Sequence, residues 1–167
     1  PIVEYYQKLG WKVVIGANGN AANWLKNRFP SAVVEFIPGY EVQYSKRLNF
    51  SIKMLLSLPS IYKGIQREKK CVNKLHLIHQ FDAVISDNRF GVRVKGVKNY
   101  FITHQLNIRF PYFEKQIFKV QKKLIAQFDA CLVPDFPIKE NLAGELSVLK
   151  KDQKLGVPVY YVGALSR

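Results

Sequence analysis

The stretch from Phe81 to Asn107 constrains this sequence most, because it contains two short apolar runs that each end abruptly in polar residues. The runs cover residues 83–85 and 100–102. Apolar runs of this length, bounded by polar clusters, are typical of buried parallel strands. Ligands of open α/β sheets bind outside the carboxyl ends of such strands. We therefore expect chemistry at the polar residues that follow the two runs: Asp87, Asn88, Arg89, His104 and Gln105.

The rest of the chain alternates predicted strands with predicted helices. Strands are predicted at residues 12–16, 32–37, 82–85, 99–102, 130–133 and 158–163. Helices are predicted at residues 2–9, 21–29, 50–58, 60–79 and 112–127, with the third helix stopped or kinked at Pro59. This alternation favours an α/β fold, a Rossmann-like parallel sheet with helices on both faces. A chain of 167 residues fits one such domain.

The segment GANGNAAN at residues 16–23 resembles part of a dinucleotide-binding fingerprint. Gly16 and Gly19 follow a predicted strand and open a predicted helix, and Glu35 stands about 20 residues further on. The third glycine position holds Ala22, so the glycine pattern is incomplete. We favour a plain turn between strand and helix, with nicotinamide binding as the alternative.

The charge balance indicates an anionic partner. The chain carries 26 lysines and arginines against 12 acidic residues, which gives a formal net charge of +14. Such a balance suits a membrane surface, a phosphate-bearing substrate or nucleic acid, and the charge alone does not choose among them.

The two predicted helices on either side of Pro59 are strongly basic. Ile61, Ile65, Val72, Leu75 and Ile78 form the apolar stripe of the second one. A basic amphipathic pair of this kind can lie on an anionic bilayer, and a solvated basic face is the alternative. The membrane-facing residues are then predicted to be Lys46, Arg47, Lys53, Met54, Lys63 and Arg67.

Cysteines and histidines give little sign of a metal or disulfide framework. Cys71 and Cys131 lie sixty positions apart without a CxxC pattern, which indicates a reducing compartment. His76 and His79 are spaced to share a helix face, but histidines in a last helical turn usually complement the helix dipole. No metal site is predicted, and the nucleophile elbow, Walker A loop, HExxH and DxD motifs are all absent from the sequence.

Four motifs in order resemble one known family. They are SDNRFG at 86–91, THQLN at 103–107, VPDF at 133–136 and VYYVGAL at 159–165. Together they are similar to the amino-terminal half of GT-B glycosyltransferases. The likeness is greatest to bacterial enzymes related to the N-acetylglucosaminyltransferase that completes the lipid-linked peptidoglycan precursor. In that family the second motif reads His-Glu-Gln-Asn. Here His104 and Asn107 match, whereas Gln105 replaces the glutamate.

The resemblance implies a function for the chain as half of an enzyme. We expect residues 1–162 to form the acceptor-side domain and residues 163–167 to begin a linker to a carboxyl-terminal domain. That domain, a partner within the same protein, would hold the nucleotide sugar, so no cofactor is expected on this half. A further strand with a glycine-rich loop is expected before Pro1. The expected acceptor is lipid-linked or belongs to the cell envelope, and the expected location is cytoplasmic and peripheral to the membrane.

The resemblance also implies roles for individual residues. His104 is the candidate base on an acceptor hydroxyl, and Arg89 is expected to pair with a phosphate. Gly91 is expected to allow close backbone approach. The predicted acceptor and cleft contacts are Asp87, Asn88, Arg89, Gly91, Gln105 and Asn107. A local turn or cap remains the alternative role for Asp87, and bracing of neighbouring loops remains the alternative for His104.

A basic nucleic-acid-binding module without catalysis is the competing function. Such a module would interleave aromatic and basic side chains on an exposed surface. Most aromatic residues here are predicted on apolar faces or at strand ends, so nucleic acid is the less favoured partner.

Overall fold

The computed structural model describes residues 1–39, 50–107, 114–137, 141–150 and 153–165, with residues 50–58 described as backbone only. The chain forms two compact units, Pro1–Gln80 and Phe81–Ser166, called unit 1 and unit 2 below. Both units contain parallel sheets and helices, so the predicted α/β class is confirmed. The domain boundary expected at residue 162 stays a prediction.

Unit 1 contains three helices and a sheet of two parallel strands among its described residues. The elements are α1 (Ile2–Lys8), β1 (Val14–Ala17), α2 (Gly19–Arg28), β2 (Val33–Phe36) and α3 (Phe50–His79). Helix α1 ends in a turn where Gly10 has a φ of 81°, a left-handed value that glycine adopts without steric cost. Strand β1 pairs with β2 from Val14 opposite Val33 to Ala17 opposite Phe36.

Helix α3 is a single helix of 30 residues, so the predicted stop at Pro59 is wrong. A proline inside a helix removes one backbone hydrogen bond and costs about 3 kcal/mol. The uninterrupted helix shows that its other backbone hydrogen bonds and its packing outweigh this cost. Ile65 and Val72 supply such packing, since both side chains are buried.

The apolar stripe predicted for α3 is correct at Ile65 and Val72 but wrong at Ile78, which is 71% exposed. At 3.6 residues per turn, the position two turns after Val72 is His79 rather than Ile78. His79 therefore continues the buried face, and its Nε2 lies 2.8 Å from Glu35 Oε1 in β2. Glu68 is also fully buried on this face. The face is thus less apolar than the sequence predicted.

Unit 2 is built on a sheet of four parallel strands in the order β3-β4-β5-β6. The strands are β3 (Ala83–Asp87), β4 (Lys98–Ile102), β5 (Ala130–Val133) and β6 (Val159–Tyr161). Helix α4 (Glu114–Ile125) connects β4 to β5, and a single 3-10 turn (Gly144–Leu146) lies between β5 and β6. In a parallel sheet all carboxyl ends face one edge, so the loops that follow these strands gather there.

The core of unit 2 lies around the middle strands of this sheet. Phe101 is fully buried and contacts two aromatic rings, stacking on Phe90 at 4.9 Å between centroids and lying 5.0 Å from Phe128. Cys131 in β5 is also fully buried, and burial raises the pKa of its thiol to about 12. The remaining fully or nearly fully buried members of this core are Leu106, Ile125, Val133 and Leu155.

No helix in the described part of the chain combines the length and the apolar character that crossing a membrane requires.

Candidate functional site

The loops that follow β3 and β4 are neighbours at the carboxyl edge of the sheet of unit 2. Asp87 and Ile102 are paired in the β3–β4 register. Just beyond this pair, the backbone N–H of Asn88 donates to the carbonyl of Ile102 at 2.9 Å. The Thr103 hydroxyl donates to Asn88 Oδ1 at 3.2 Å. Two polar segments that are 15 residues apart in sequence are thereby joined.

The turn after β3 presents polar side chains while its backbone is held by hydrogen bonds. Asn88 has a left-handed φ of 54°, a conformation that asparagine tolerates better than most residues. The buried Ser86 hydroxyl donates to the carbonyl of Arg89 at 2.5 Å. Asp87 and Asn88 are exposed, Arg89 is half-buried, and Gly91 is buried with its carbonyl accepting the Arg93 N–H at 3.0 Å.

The loop after β4 carries one exposed residue between buried anchors. Thr103 is only 2% exposed, and its hydroxyl oxygen accepts the N–H of Gln105 at 3.0 Å. His104 between them is exposed. A ring on this surface is accessible to a ligand, whereas a buried and fully bonded ring would not be. Gln105 is half-buried, and its carbonyl accepts a hydrogen bond from Gln121 Nε2 of α4 at 2.6 Å.

Two buried amide oxygens lie around this loop without a hydrogen-bond donor. Asn107 and Gln121 are 2% and 5% exposed, and neither Asn107 Oδ1 nor Gln121 Oε1 has a partner within the described ranges. The orientation of Gln121 is fixed because its Nε2 faces the carbonyl of Gln105. Buried acceptors of this kind are usually satisfied by water or by a ligand donor. The loop therefore offers acceptors to hydroxyl or N–H groups.

Asp135, the second residue after β5, is the centre of a buried hydrogen-bond network. Its side chain is 1% exposed. Oδ1 accepts the N–H groups of Phe136 at 2.8 Å and Leu142 at 2.7 Å, and Oδ2 accepts the N–H of Ala143 at 3.1 Å. The Ser147 hydroxyl, which donates to the carbonyl of Gly144 at 3.2 Å, also lies close to this carboxylate. One side chain thus fixes the path of the loop after β5.

The same network extends to the ends of β4 and β6. The carbonyl of Leu146 accepts the N–H of Leu106 at 2.8 Å and the N–H of Asn107 at 3.0 Å. The Tyr161 hydroxyl donates to the carbonyl of Ser147 at 2.9 Å, and the Gly163 N–H donates to the carbonyl of Asp135 at 3.1 Å. The loop that bears His104 is therefore braced by the loop that Asp135 organises.

Hydrogen bonding, not burial, sets the ionisation of Asp135. Burial by itself would raise the pKa of this carboxyl group, but the donors from Ser147, Leu142, Ala143 and Phe136 hold the pKa well below its usual range. The carboxylate is charged at neutral pH. Burial, together with the negative charge of Asp135, raises the pKa of the neighbouring Tyr161. Tyr161 is accordingly a neutral hydroxyl donor here.

Sequence reasoning named the exposed residues of this edge and the buried Gly91 and Asn107, but it missed Thr103, Gln121 and Asp135. Thr103 directly follows β4 and Asp135 is the second residue after β5, so the rule that selected Asp87 and His104 would also have selected them. Gln121 had no such signal, because its helical position alone does not reveal which loop it contacts.

The other residues singled out in the sequence lie in unit 1 or outside the described residues. A Cβ added at Gly16 would clash with Ile37 Cδ1, so this glycine makes room for a neighbouring side chain. Glu35, the acidic residue of the dinucleotide alternative, has its Oε1 2.8 Å from His79 Nε2.

Of the residues predicted to face a membrane, Lys63 and Arg67 are exposed on α3. Lys46 and Arg47 lie outside the described residues, as do the side chains of Lys53 and Met54. Across the described part of the chain, no group of three His, Cys, Asp or Glu side chains is arranged to hold a metal ion.

Comparison with known proteins adds no relative: no family model matches the chain, and no curated protein or solved structure matches it significantly.

Proposed function

We propose that this chain is the acceptor-binding half of a glycosyltransferase that moves a sugar from a nucleotide sugar to a lipid-linked or cell-envelope acceptor. One observation carries the proposal: the loops after β3 and β4 are joined through Asn88 and Thr103 at the carboxyl edge of a parallel sheet. This is the edge where α/β sheets bind their ligands. The segments that bear Arg89 and His104 therefore belong to one surface.

The chemistry of this surface suits an acceptor that carries both phosphate and hydroxyl groups. The guanidinium of Arg89 has the planar donor geometry that phosphate oxygens accept. The exposed imidazole of His104 is the candidate general base on the acceptor hydroxyl. Asp87 and Asn88 add exposed polar groups beside Arg89, and Asn107 adds a buried amide oxygen that has no donor among the described residues. Gln105 is an amide and takes no part as an acid.

The sugar nucleotide is expected on a carboxyl-terminal domain of the same protein, so this chain alone is expected to bind acceptor without transferring sugar. The basic face of α3, with Lys63 and Arg67 exposed, supports a location at an anionic membrane surface. Such a location suits an acceptor that is anchored in the membrane.

The proposal is tested by titrating this chain with a water-soluble sugar diphosphate ester and measuring the heat of binding. Arg89→Gln is expected to weaken binding about tenfold, because a charge-assisted contact to phosphate is lost. His104→Ala is expected to change affinity less than about threefold, since a base on the hydroxyl acts on the reaction more than on binding. Lys119→Gln, on the exposed face of α4, removes the same charge elsewhere in unit 2 and is the matched control.

Three outcomes would contradict the proposal. The first is an equal loss of affinity in the Arg89 and Lys119 variants, which would indicate diffuse attraction. The second is sugar transfer by this chain alone. The third is an absence of acceptor binding together with steeply salt-dependent binding to single-stranded nucleic acid, which would favour the nucleic-acid module.

A further inference from the structure

A depression of about 400 Å³ lies at the amino edge of the sheet of unit 2, opposite the edge of the candidate acceptor site. Its lining combines the loop before β4 with the start of that strand and the residues just before β5. A volume of this size is within the range of small-molecule sites. The lining residues are Arg93, Val94, Lys95, Gly96, Val97, Lys98, Asn99, Gln127 and Asp129.

The charged groups around this depression are mainly basic. Arg93, Lys95 and Lys98 contribute three positive charges, and Asp129 contributes one negative charge. Lys98 Nζ lies 3.4 Å from Asp129 Oδ1, and the guanidinium of Arg93 donates to Gln127 Oε1. Lys95 is exposed beside them. The excess of positive charge at one small concavity favours an anionic ligand.

The loop that carries these bases is held in place by one buried side chain. Asn99 is 7% exposed, and its Oδ1 accepts the N–H of Val94 at 2.8 Å. Its Nδ2 donates to the carbonyls of Val94 at 2.8 Å and Val97 at 2.6 Å. Gly96, at the tip, has a left-handed φ of 82° that this tight turn requires. A loop fixed in this way loses little conformational entropy when a ligand binds.

Asp129 sets the net charge of the depression. Its carboxylate accepts the N–H of Asn99 at 2.8 Å, and this hydrogen bond, with a smaller contribution from Lys98, keeps the pKa of Asp129 below its usual value. The group is therefore charged at neutral pH, and it engages one of the three bases. A ligand must carry enough negative charge to compete with it for Lys98.

We propose that this depression is a second binding site that takes the phosphate or diphosphate group of a small molecule. A guanidinium and two ammonium groups, offset by the single carboxylate of Asp129, suit a phosphate group, whose oxygens carry negative charge and accept hydrogen bonds. The phosphate belongs either to a free phosphorylated compound or to the headgroup of an anionic lipid. The site is independent of the proposed acceptor site, because the two share no residue.

The test is a titration of the 167-residue chain with pyrophosphate, in which the amide chemical shifts and the heat of binding are measured. Shifts are expected at residues 93–99 and 127–129. Lys95→Gln is expected to weaken binding about fivefold, since an exposed charge is removed from the rim. Asp129→Asn keeps an oxygen for the Asn99 N–H and is expected to tighten binding about threefold, because a competing charge is lost. Lys119→Gln is the matched control and is expected to leave affinity unchanged.

The source of the phosphate is separated by flotation with vesicles of phosphatidylglycerol and of phosphatidylcholine. If Lys95→Gln weakens pyrophosphate binding but not binding to phosphatidylglycerol, a free phosphorylated compound is the ligand. If it weakens both, the headgroup is the ligand. The proposal is overturned if the wild-type chain does not bind millimolar pyrophosphate. It is equally overturned if the Lys95 and Lys119 variants lose affinity to the same extent, or if the shifts fall outside the depression.

Discussion

Buried polar side chains stabilise the loops at both edges of the four-stranded sheet in unit 2, but the two edges differ in which segments these side chains connect. At the carboxyl edge, Thr103 joins the loops after β3 and β4. Asp135 organises the loop after β5, and the Leu146 carbonyl of that loop accepts hydrogen bonds from the loop after β4. At the amino edge, Asn99 closes a loop on itself, over residues only two to five positions away. Hydrogen bonds between loops of different strands couple distant segments of the chain, whereas the local hydrogen bonds of Asn99 hold a single segment.

This difference predicts how each edge responds to change. Loss of a group at the carboxyl edge is expected to disturb the loops after β4, β5 and β6 together, because the carbonyl of Leu146 accepts hydrogen bonds from the β4 loop. Loss of the Asn99 hydrogen bonds at the amino edge is expected to increase the mobility of residues 94–97 alone. Three substitutions examine this comparison.

Asp135→Asn is expected to cause the largest loss of stability of the three. The amide offers a single acceptor oxygen where the carboxylate has two, and its NH₂ group faces backbone donors instead of accepting from them. Urea unfolding at pH 7 measures the loss. Asp129→Asn is the control, and an equal effect of the two substitutions would refute the distinction between the edges.

The stability that Asp135 contributes is also expected to depend on pH. Its folded pKa is held below the unfolded value of about 4, so this stability is fully present above the unfolded pKa and is lost as the pH falls toward the folded pKa. The unfolding free energy of the wild-type chain is therefore expected to decrease below about pH 5. The unfolding free energy of the Asp135→Asn variant is expected to change less with pH in this range. An equal dependence on pH in the variant and the wild-type chain would argue against a charged Asp135.

Asn99→Ala is expected to cost about 2 kcal/mol, because three hydrogen bonds to a buried loop are lost together. Faster amide exchange is expected in residues 94–97 and not in the loops of the carboxyl edge. Lys95→Gln, in the same loop, is expected to change stability by less than about 0.5 kcal/mol. Faster amide exchange at both edges in the Asn99 variant would show that the effect of the Asn99 hydrogen bonds is not local.

His104→Ala is expected to have the smallest effect, within about 0.5 kcal/mol, because the imidazole is exposed between two anchored neighbours. Thermal unfolding of this variant beside the wild-type chain measures it. A loss above about 1.5 kcal/mol would mean that His104 braces the loops, which was the structural alternative considered from the sequence.

The sequence predicted the strands of unit 2 well because each is a short apolar run with a sharp polar end. Residues 130–133 were predicted as a strand, and β5 covers the same residues. Prediction was weaker where a helix contains a residue that is unfavourable in helices. Pro59 is unfavourable in any helix interior, and only the sum over a helix of 30 residues decides that α3 continues through it.

Local patterns also explain which parts of the candidate site were found. The exposed residues Asp87 and His104 were found because each is the second residue of the polar cluster that ends an apolar run. The network of Asp135 was not, since its donors at residues 142, 143 and 147 lie in a segment whose composition indicates only a polar loop. The phosphate depression was missed for the same reason: Lys95 and Lys98 look like ordinary surface lysines until Asn99 brings their loop into a fixed shape.

The buried thiol of Cys131 gives this protein an internal reporter of sheet opening. Cys131 lies in β5, one of the two inner strands of the sheet. With a pKa of about 12, almost none of its thiol is ionised at neutral pH, and alkylating reagents react with the thiolate. Its alkylation therefore requires that β5 separate from its neighbours. The rate at which mass spectrometry detects modified Cys131 would time the transient opening of unit 2 under native conditions, without any added label.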